Sequence, residues 1–373
     1  QLSSTFSQAS GFPYGSLPGY TANNSAPDPL LQPEFVKAWE VGMELSLLRN
    51  RIGIDATYFH QNNTDQIIPI SVSSATGFTS ATVNAASFIN RGIELDLKLT
   101  PLVKLGDVDI SFKGNATYNN SEVTSVYEGL DEVFVGGYNN FAANYVIKGY
   151  PAYVFKATDY LRDDEGHIIV NGDDGMPATD PNNKIYGRTL PLWIVGLNPT
   201  VSWKGLTFSV LGEYRGGHTV FHGSGPEMAW TGISKATALN HRERFVMPNS
   251  VYEDPNSPGH YVANTDITVS NVNDFFIGVY SDVASNFLTS AASWRIREAS
   301  ISYDLPARIF GNGRIVKGAS VSLTGRNLFL WVPKTNEYSD PDFNFTTTNA
   351  GGVQTTQINP PIRTFGASVN VRF

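Results

Sequence analysis

The chain has 373 residues, of which 16% are charged and 12% aromatic, and it carries a formal net charge of −8. That acidity, with no basic stripe to neutralise phosphates, argues against nucleic acid as a partner. The absence of cysteine excludes disulfides, thiolate metal sites and cysteine nucleophiles.

The 34 glycines and 21 prolines, with a surplus of Asn, Ser and Thr, suit many strands joined by turn-rich loops. No apolar run approaches the roughly 20 residues that a membrane helix needs. In a transmembrane barrel, lipid-facing and lumen-facing residues alternate, so a mean hydropathy of −0.17 does not exclude the membrane. Gln1 opens neither a charged n-region nor an apolar h-region.

In chain order, the first predicted strand is 35–48, with Trp39, Val41, Met43, Leu45 and Leu47 on one face. A short connection at 48–51 leads to a second over 51–62, carrying Ile52, Ile54, Ala56 and Tyr58. After a long connection at 63–85 comes Ile93, Leu95, Leu97 and Leu99 against Glu94, Asp96, Lys98 and Thr100. The connection 101–106 is short. From Asp107 the alternation is the cleanest in the chain: Val108, Ile110, Phe112, Ala116 and Tyr118 against Asp109, Ser111, Lys113, Asn115 and Thr117.

The long segment 124–189 holds two acidic clusters, Asp163-Asp164-Glu165-Gly166 and Asn171-Gly172-Asp173-Asp174-Gly175. Clustered carboxylates suit a hard cation, which makes Asp163, Asp164, Asp173 and Asp174 weak calcium candidates. The plainer reading is a pair of turns around the apolar run 167–170, since Asp, Asn and Gly favour turns and a full 12-residue ligand spacing is absent.

Strands at 191–203 and 206–215 follow, joined by 204–205. Trp193 and Trp203 mark the two ends of the first and read as interfacial girdle residues, as does Tyr303 further on. The long segment 216–289 contains His218 and His222, a spacing that aligns ligands on a helix but not on a strand. It also contains the aromatics Trp230, Tyr252, Tyr261 and Phe276. These, with Tyr338 and Phe343 in the last long segment 330–361, are the candidate substrate-binding residues. Their flat faces suit sugar rings or peptides, and the alternative is that they pack loops together or meet a partner.

The stretch 290–305 changes phase: Trp294 and Ile296 are even, Ala299, Ile301 and Tyr303 odd. A β-bulge near 297–298 restores the face. After 306–315, Ala319, Val321 and Leu323 define the eighth strand, and Phe365, Ala367, Val369, Val371 and Phe373 the ninth.

Short and long connections alternate along the chain, as periplasmic turns and extracellular loops do. Strands of about 11 residues, tilted by about 40°, match the hydrocarbon thickness. A soluble sandwich also alternates, but with shorter strands and less lopsided loops. Nine strands are an odd number and leave open edges, whereas a bacterial single-chain barrel has an even count and none. The expectation is a partial transmembrane β-barrel spanning 1–373 that contributes about nine to thirteen strands, further pairs lying within 124–189 and 216–289. No nucleophile elbow, serine triad or dedicated carboxylate pair supports an enzyme, and no cofactor is expected.

Several stretches together resemble the C-terminal barrel region of SusC/RagA-type TonB-dependent transporters of Bacteroidota. They are Leu31-Gln-Pro-Glu34 leading to Trp39-Glu-Val-Gly-Met-Glu44, and Val83-Asn-Ala-Ala86 leading to Asn90-Arg-Gly-Ile-Glu94. Tyr214-Arg-Gly-Gly217, Phe245-Val-Met-Pro-Asn-Ser250, Arg297-Glu-Ala-Ser-Ile-Ser-Tyr303 and Gly325-Arg-Asn-Leu328 continue the series. Tyr338-Ser-Asp-Pro-Asp342 and Asn359-Pro-Pro-Ile-Arg-Thr-Phe-Gly366 complete it.

The resemblance implies a barrel of about 22 strands, with an N-terminal plug and a TonB box outside this chain. It also implies a SusD-like surface lipoprotein as lid, a dimer of transporter–lid pairs as one assembly, and oligosaccharide or peptide import. The terminal Phe373 resembles the outer-membrane assembly signal. A secreted glycan-binding module, which would stay soluble without detergent, and a barrel-embedded hydrolase are the alternatives.

Overall fold

The computed structural model describes residues 2–138, 142–310, 315–337, 340–342, 351–354 and 361–373. Nine long strands among them form one antiparallel sheet in simple up-and-down order. They are β1 (Phe35–Leu47), β2 (Ile52–Ser71), β3 (Ser80–Leu105), β4 (Val108–Val126) and β5 (Trp193–Trp203), followed by β6 (Leu206–Gly216), β7 (Ser293–Asp304), β8 (Gly318–Trp331) and β9 (Thr364–Arg372). The two-residue strand Ser25–Ala26 adds a parallel pairing at the start of β3. No helix among the described residues is long and apolar enough to cross a membrane.

Register carries one face unbroken across the sheet. Val41 pairs Tyr58, Tyr58 pairs Ile93, Ile93 pairs Tyr118 and Tyr118 pairs Trp193. Further down, Val201, Phe208, Ile301, Leu323 and Ala367 continue in the same way. The opposite face is equally consistent: Asp109, Ser202, Thr207, Ser302, Ser322 and Ser368 form one row. Hydroxyls bond across that row, Ser202 to Thr207 at 3.1 Å and Ser322 to Ser368 at 2.6 Å. Directly paired residues share a face, so each row belongs to one environment.

The apolar face is the open one. Val41 is 64% exposed and Val369 65%. The buried core lies instead among the segments beyond the long-connection end, where Phe155, Phe221 and Phe287 are fully buried. A sheet that buries nothing on its apolar face needs an apolar solvent, and lipid is that solvent. A soluble sandwich would have packed a second sheet there.

The phase change in β7 is a bulge at Arg297. The ladder to β6 steps from Glu298 to Ile296, and the ladder to β8 does the same. The extra residue keeps Ile296 and Ala299 on the apolar face and turns both Arg297 and Glu298 inward. The 204–205 hairpin is the tightest turn: Lys204 and Gly205 both have positive φ (46° and 86°), as a two-residue turn of matching twist requires.

Three expectations are corrected. The segment 63–85 is not a long loop, because β2 and β3 continue as a paired hairpin to Ser71 and Ser80. Its upper residues Ile68, Val83 and Ala85 are buried against Val133 and Val146 from the next segment, so it is covered on the side where lipid is absent. The segment 101–106 is mostly strand, β3 running to Leu105. The extra strands expected within 124–189 and 216–289 exist but stay out of the wall. Glu132–Tyr138, Ala142–Ile147, Val154–Ala157 and Lys184–Arg188 form their own sheet, as do Ile168–Ile169, Ser250–Glu253 and Tyr261–Ala263. Among the described residues, the wall therefore has nine strands rather than up to thirteen.

Candidate functional site

The polar face of the sheet is its concave face. It encloses a trough of about 950 Å³ lined by Glu44, Asp55, Asp96, Lys98, Lys113, Asn115, Asn198 and Glu298, among others. These residues come from β1 to β7, at positions that alternate with the lipid-facing set. Gly92 allows the Phe59 ring on this face to lie flat, since a Cβ there would meet both that ring and the Tyr118 carbonyl.

Above the trough, the long segments fold into one body with two apolar clusters. A run of ring contacts through Phe245, Phe275, Phe276, Tyr280 and Phe287 joins them. Polar bonds stitch the body across sequence. The Asp159 carboxylate accepts from the Ser285 hydroxyl at 2.8 Å, and Asn286 donates to the Tyr160 hydroxyl at 2.8 Å. The Asn144 amide donates to the Gly351 carbonyl at 3.0 Å. His222 and Gln354 lie side by side in a parallel pairing, with the His222 Nδ1 2.8 Å from the Gln354 Oε1. Because the Gln354 amide nitrogen donates to the Asp340 carbonyl at 2.5 Å, its oxygen must accept, so the His222 Nδ1 carries the proton.

Where this body meets the wall, three guanidiniums converge on three carboxylates. Arg295 is 2% exposed and grips the Asp340 carboxylate with both terminal nitrogens, one at 2.7 Å. The same nitrogen donates to the Asn327 Oδ1 at 2.6 Å. Arg297 bonds both Glu213 and Asp342. Arg215 lies 2.7 Å from Glu213 and 3.2 Å from Asp342. Burial strengthens such pairs and makes an unmatched member costly.

The sequence-derived candidates divide among these regions. Phe276 is buried in the loop core, and Tyr252 packs against the same cluster. Trp230 and Tyr261 are exposed on the body. Tyr261 lines a second hollow of about 720 Å³ with Arg162, Asp164, His167 and His260. Tyr338 and Phe343 lie outside the described residues. Trp193, Trp203 and Tyr303 are on the lipid-facing side of the wall; Trp193 packs on Tyr118 at 4.7 Å between ring centres.

The acidic clusters are turns. Asp163 accepts the N–H groups of Glu165 and His167 and touches the His167 ring at 2.9 Å. Asp174 accepts from the Met176 N–H, while Asn171 accepts from the Asp173 N–H. The short strand Ile168–Ile169 runs between them. No group of three or more metal-type ligands occurs among the described residues. Burial pushes His218 and His222 down to about 4 each, aided at His218 by the Arg215 charge. Both are neutral in the folded body at neutral pH. The arginine–aspartate cluster was not singled out as a site from sequence. Its pieces were visible only as separate motifs around Tyr214, Arg297, Gly325 and Asp340.

A sheet with one lipid-ready face, one polar concave face, tight turns at one end and folded loops at the other defines an outer-membrane β-barrel wall. The TonB-dependent receptor-like β-barrel family matches residues 1–328, and the chain belongs to that family. That membership places the wall in the bacterial outer membrane.

A TonB-dependent receptor of Formosa agariphila is 22% identical over 326 residues, covering 82% of this chain and 31% of that protein. Two solved structures share the fold over 100% of this chain and 38% of theirs. The RagAB peptide transporter matches at 17% identity and a TM-score of 0.68. The RagAB peptide importer in its closed-closed state matches at 19% identity and a TM-score of 0.69. The chain thus spans about a third of the length of the proteins it matches, and these fold matches agree with the SusC/RagA-type resemblance of its motifs.

Proposed function

We propose that residues 1–373 act as one unit of a TonB-dependent importer, contributing lumen wall and substrate-facing loops for a large nutrient, an oligosaccharide or a peptide. The observation that carries this reading is the unbroken two-faced register across nine strands, apolar outward and polar around a trough. The open edges β1 and β9 then pair with further strands of the same barrel, since lipid tolerates no free edge. Trp193 and Trp203 end one 11-residue strand. At roughly 3.3 Å per residue and a tilt of about 40° they stand about 25 Å apart along the membrane normal, at its two interfaces. Tyr303 pairs with Leu206 beside Trp203 and belongs to the lower girdle, and Phe373 serves as the assembly signal.

On the outer side, Trp230 and Tyr261 contact substrate. A SusD-like lipoprotein covers the body as a lid, and the exposed Ile233 and Leu239 near Trp230 suit such a contact. The TonB complex supplies the energy, and pairs of transporter and lid associate as dimers.

Fractionation and uptake test this. The protein should enter the outer-membrane fraction and migrate faster on a gel before boiling. Uptake of its nutrient should stop when TonB is deleted. Soluble behaviour, or uptake that is indifferent to TonB, would overturn the reading.

A further inference from the structure

We propose that Arg215, Arg295 and Arg297 form a carboxylate receptor in the barrel mouth which the chain's own Asp340 and Asp342 occupy. Asp340–Asp342 is thus a latched strap that a ligand rich in carboxylates can displace. The proposal rests on the barrel reading only for which way the mouth faces.

Charge arithmetic on the wall is the first argument. β6 and β7 bring three guanidiniums together through Arg215, Arg295 and the bulged Arg297, and the only carboxylate that β6 supplies to them is Glu213. Glu298, the other nearby acid, is paired with Arg326 at 2.9 Å. Without Asp340 and Asp342, three guanidiniums would face one carboxylate, an excess of two positive charges on the wall. Guanidiniums crowded this closely attract counter-charge, and two carboxylates supply it from elsewhere in the chain. Asp340 and Asp342 are those two, and they reach the site from a different segment of chain.

Geometry is the second. Arg295 meets Asp340 with two parallel N–H groups, the arrangement in which a guanidinium fork matches the two oxygens of a carboxylate. Asp342 sits between all three arginines, with contacts to Arg215, Arg295 and Arg297. Nothing in this recognition is specific to aspartate of the same chain. Two carboxylates a residue apart on a foreign ligand present the same groups.

The strap has an advantage because it is tethered, which raises its effective concentration. A single carboxylate would not compete, whereas a polyanion can. Displacement would also be felt at a distance. Asp340 holds Gln354 through its carbonyl, and Gln354 holds His222, so release of the latch loosens the parallel pairing of Phe221 and His222 with Val353 and Gln354.

The test uses the transporter purified in detergent, with oligoglutamate and oligogalacturonate as probes and oligoglutamine of equal length as the neutral control. Asp340→Asn/Asp342→Asn removes the charge that holds the latch and should bind one or both acidic probes about tenfold tighter or more than the unaltered protein. Adding Arg297→Gln should return binding to the original level, and oligoglutamine should bind none of the forms. Which acidic probe binds tells whether the carboxylates come from peptide or glycan. In the unaltered protein, saturating acidic probe should speed amide exchange at 219–222 and 351–354 while leaving β4 and β5 protected. That measurement needs no variant to fold. Equal probe binding with and without the two aspartates, or no change in exchange at saturation, overturns the proposal. Loss of TonB-dependent uptake with the latch measurements intact would instead count against the importer reading.

Discussion

Arg295 on β7 and Asp340, 45 residues further along the chain, form a buried two-pronged ion pair that fastens a loop segment to the barrel wall. Removing one partner leaves the other charged and desolvated. Arg295→Met should therefore destabilise by roughly 3–5 kcal/mol, whereas Arg295→Met with Asp340→Leu should cost less than the single change. Denaturant unfolding in detergent, arranged as a double-mutant cycle, measures this. If the two single costs simply add, the pair is not coupled.

Leu197 and Ser111 lie at similar depth on opposite faces of the same wall, Leu197 pairing Gly114 and Ser111 pairing Thr200. Arg at position 197 would face hydrocarbon near the midplane, at a cost of about 2–4 kcal/mol. Arg at 111 would face the trough and should be tolerated. Heat-modifiable migration should fall for Leu197→Arg and persist for Ser111→Arg. The reverse result would mean that the faces are assigned the wrong way round.

The wall was legible in the sequence because each strand separates two solvents, and alternation survives wherever both are present. From Asp107 to Asn119 nothing else competes with that pattern. It fails above the membrane: Ile67, Ile68, Pro69 and Ile70 read as an apolar run because Ile68 is covered by loop strands rather than by lipid. The bulge at Arg297 was visible as a phase change, but what it achieves was not. Arg297 reaches Glu213, 84 residues away, and local patterning carries no information about such a pair. The Asp340-Pro-Asp342 motif likewise reads as a turn until the fold brings three arginines to it. The loop aromatics were found by type, but type does not tell a core ring such as Phe276 from an exposed one such as Tyr261.

Those two rings give a sharp contrast. Phe276 is 9% exposed and touches Phe275 and Tyr280, so Phe276→Ala should destabilise the loop body by about 3–5 kcal/mol. Tyr261 is 37% exposed, and Tyr261→Ala should weaken substrate binding while leaving that stability within about 0.5 kcal/mol. Exchange protection of the loop amides reads the first effect and equilibrium binding the second. A Tyr261→Ala protein that binds its nutrient unchanged would remove this residue from the site.

Acid should loosen the loop body before it affects the wall. His218 and His222 are held down to about 4 from an ordinary value of 6.5, chiefly by burial. Once unfolded, each takes up a proton below about pH 6.5; folded, each resists until about pH 4. Their favourable share of stability is therefore complete above the unfolded value and is lost as pH falls across that window. For His222, which is 1% exposed, the loss is on the order of 3 kcal/mol. Asp159 adds a second step at lower pH. Burial opposes its charge, but hydrogen bonds from Tyr186, Arg162 and Ser285 outweigh burial and hold it below 3.8. Amide exchange at Val220 and Phe221, followed from pH 7 down to about pH 2 and corrected for intrinsic rates, should show protection falling across the histidine window. The double variant His218→Gln/His222→Gln should flatten that slope and leave the lower step in place. If the slope survives in the double variant, the histidines are not its source, and the acid sensitivity belongs to the carboxylates that stitch the loops.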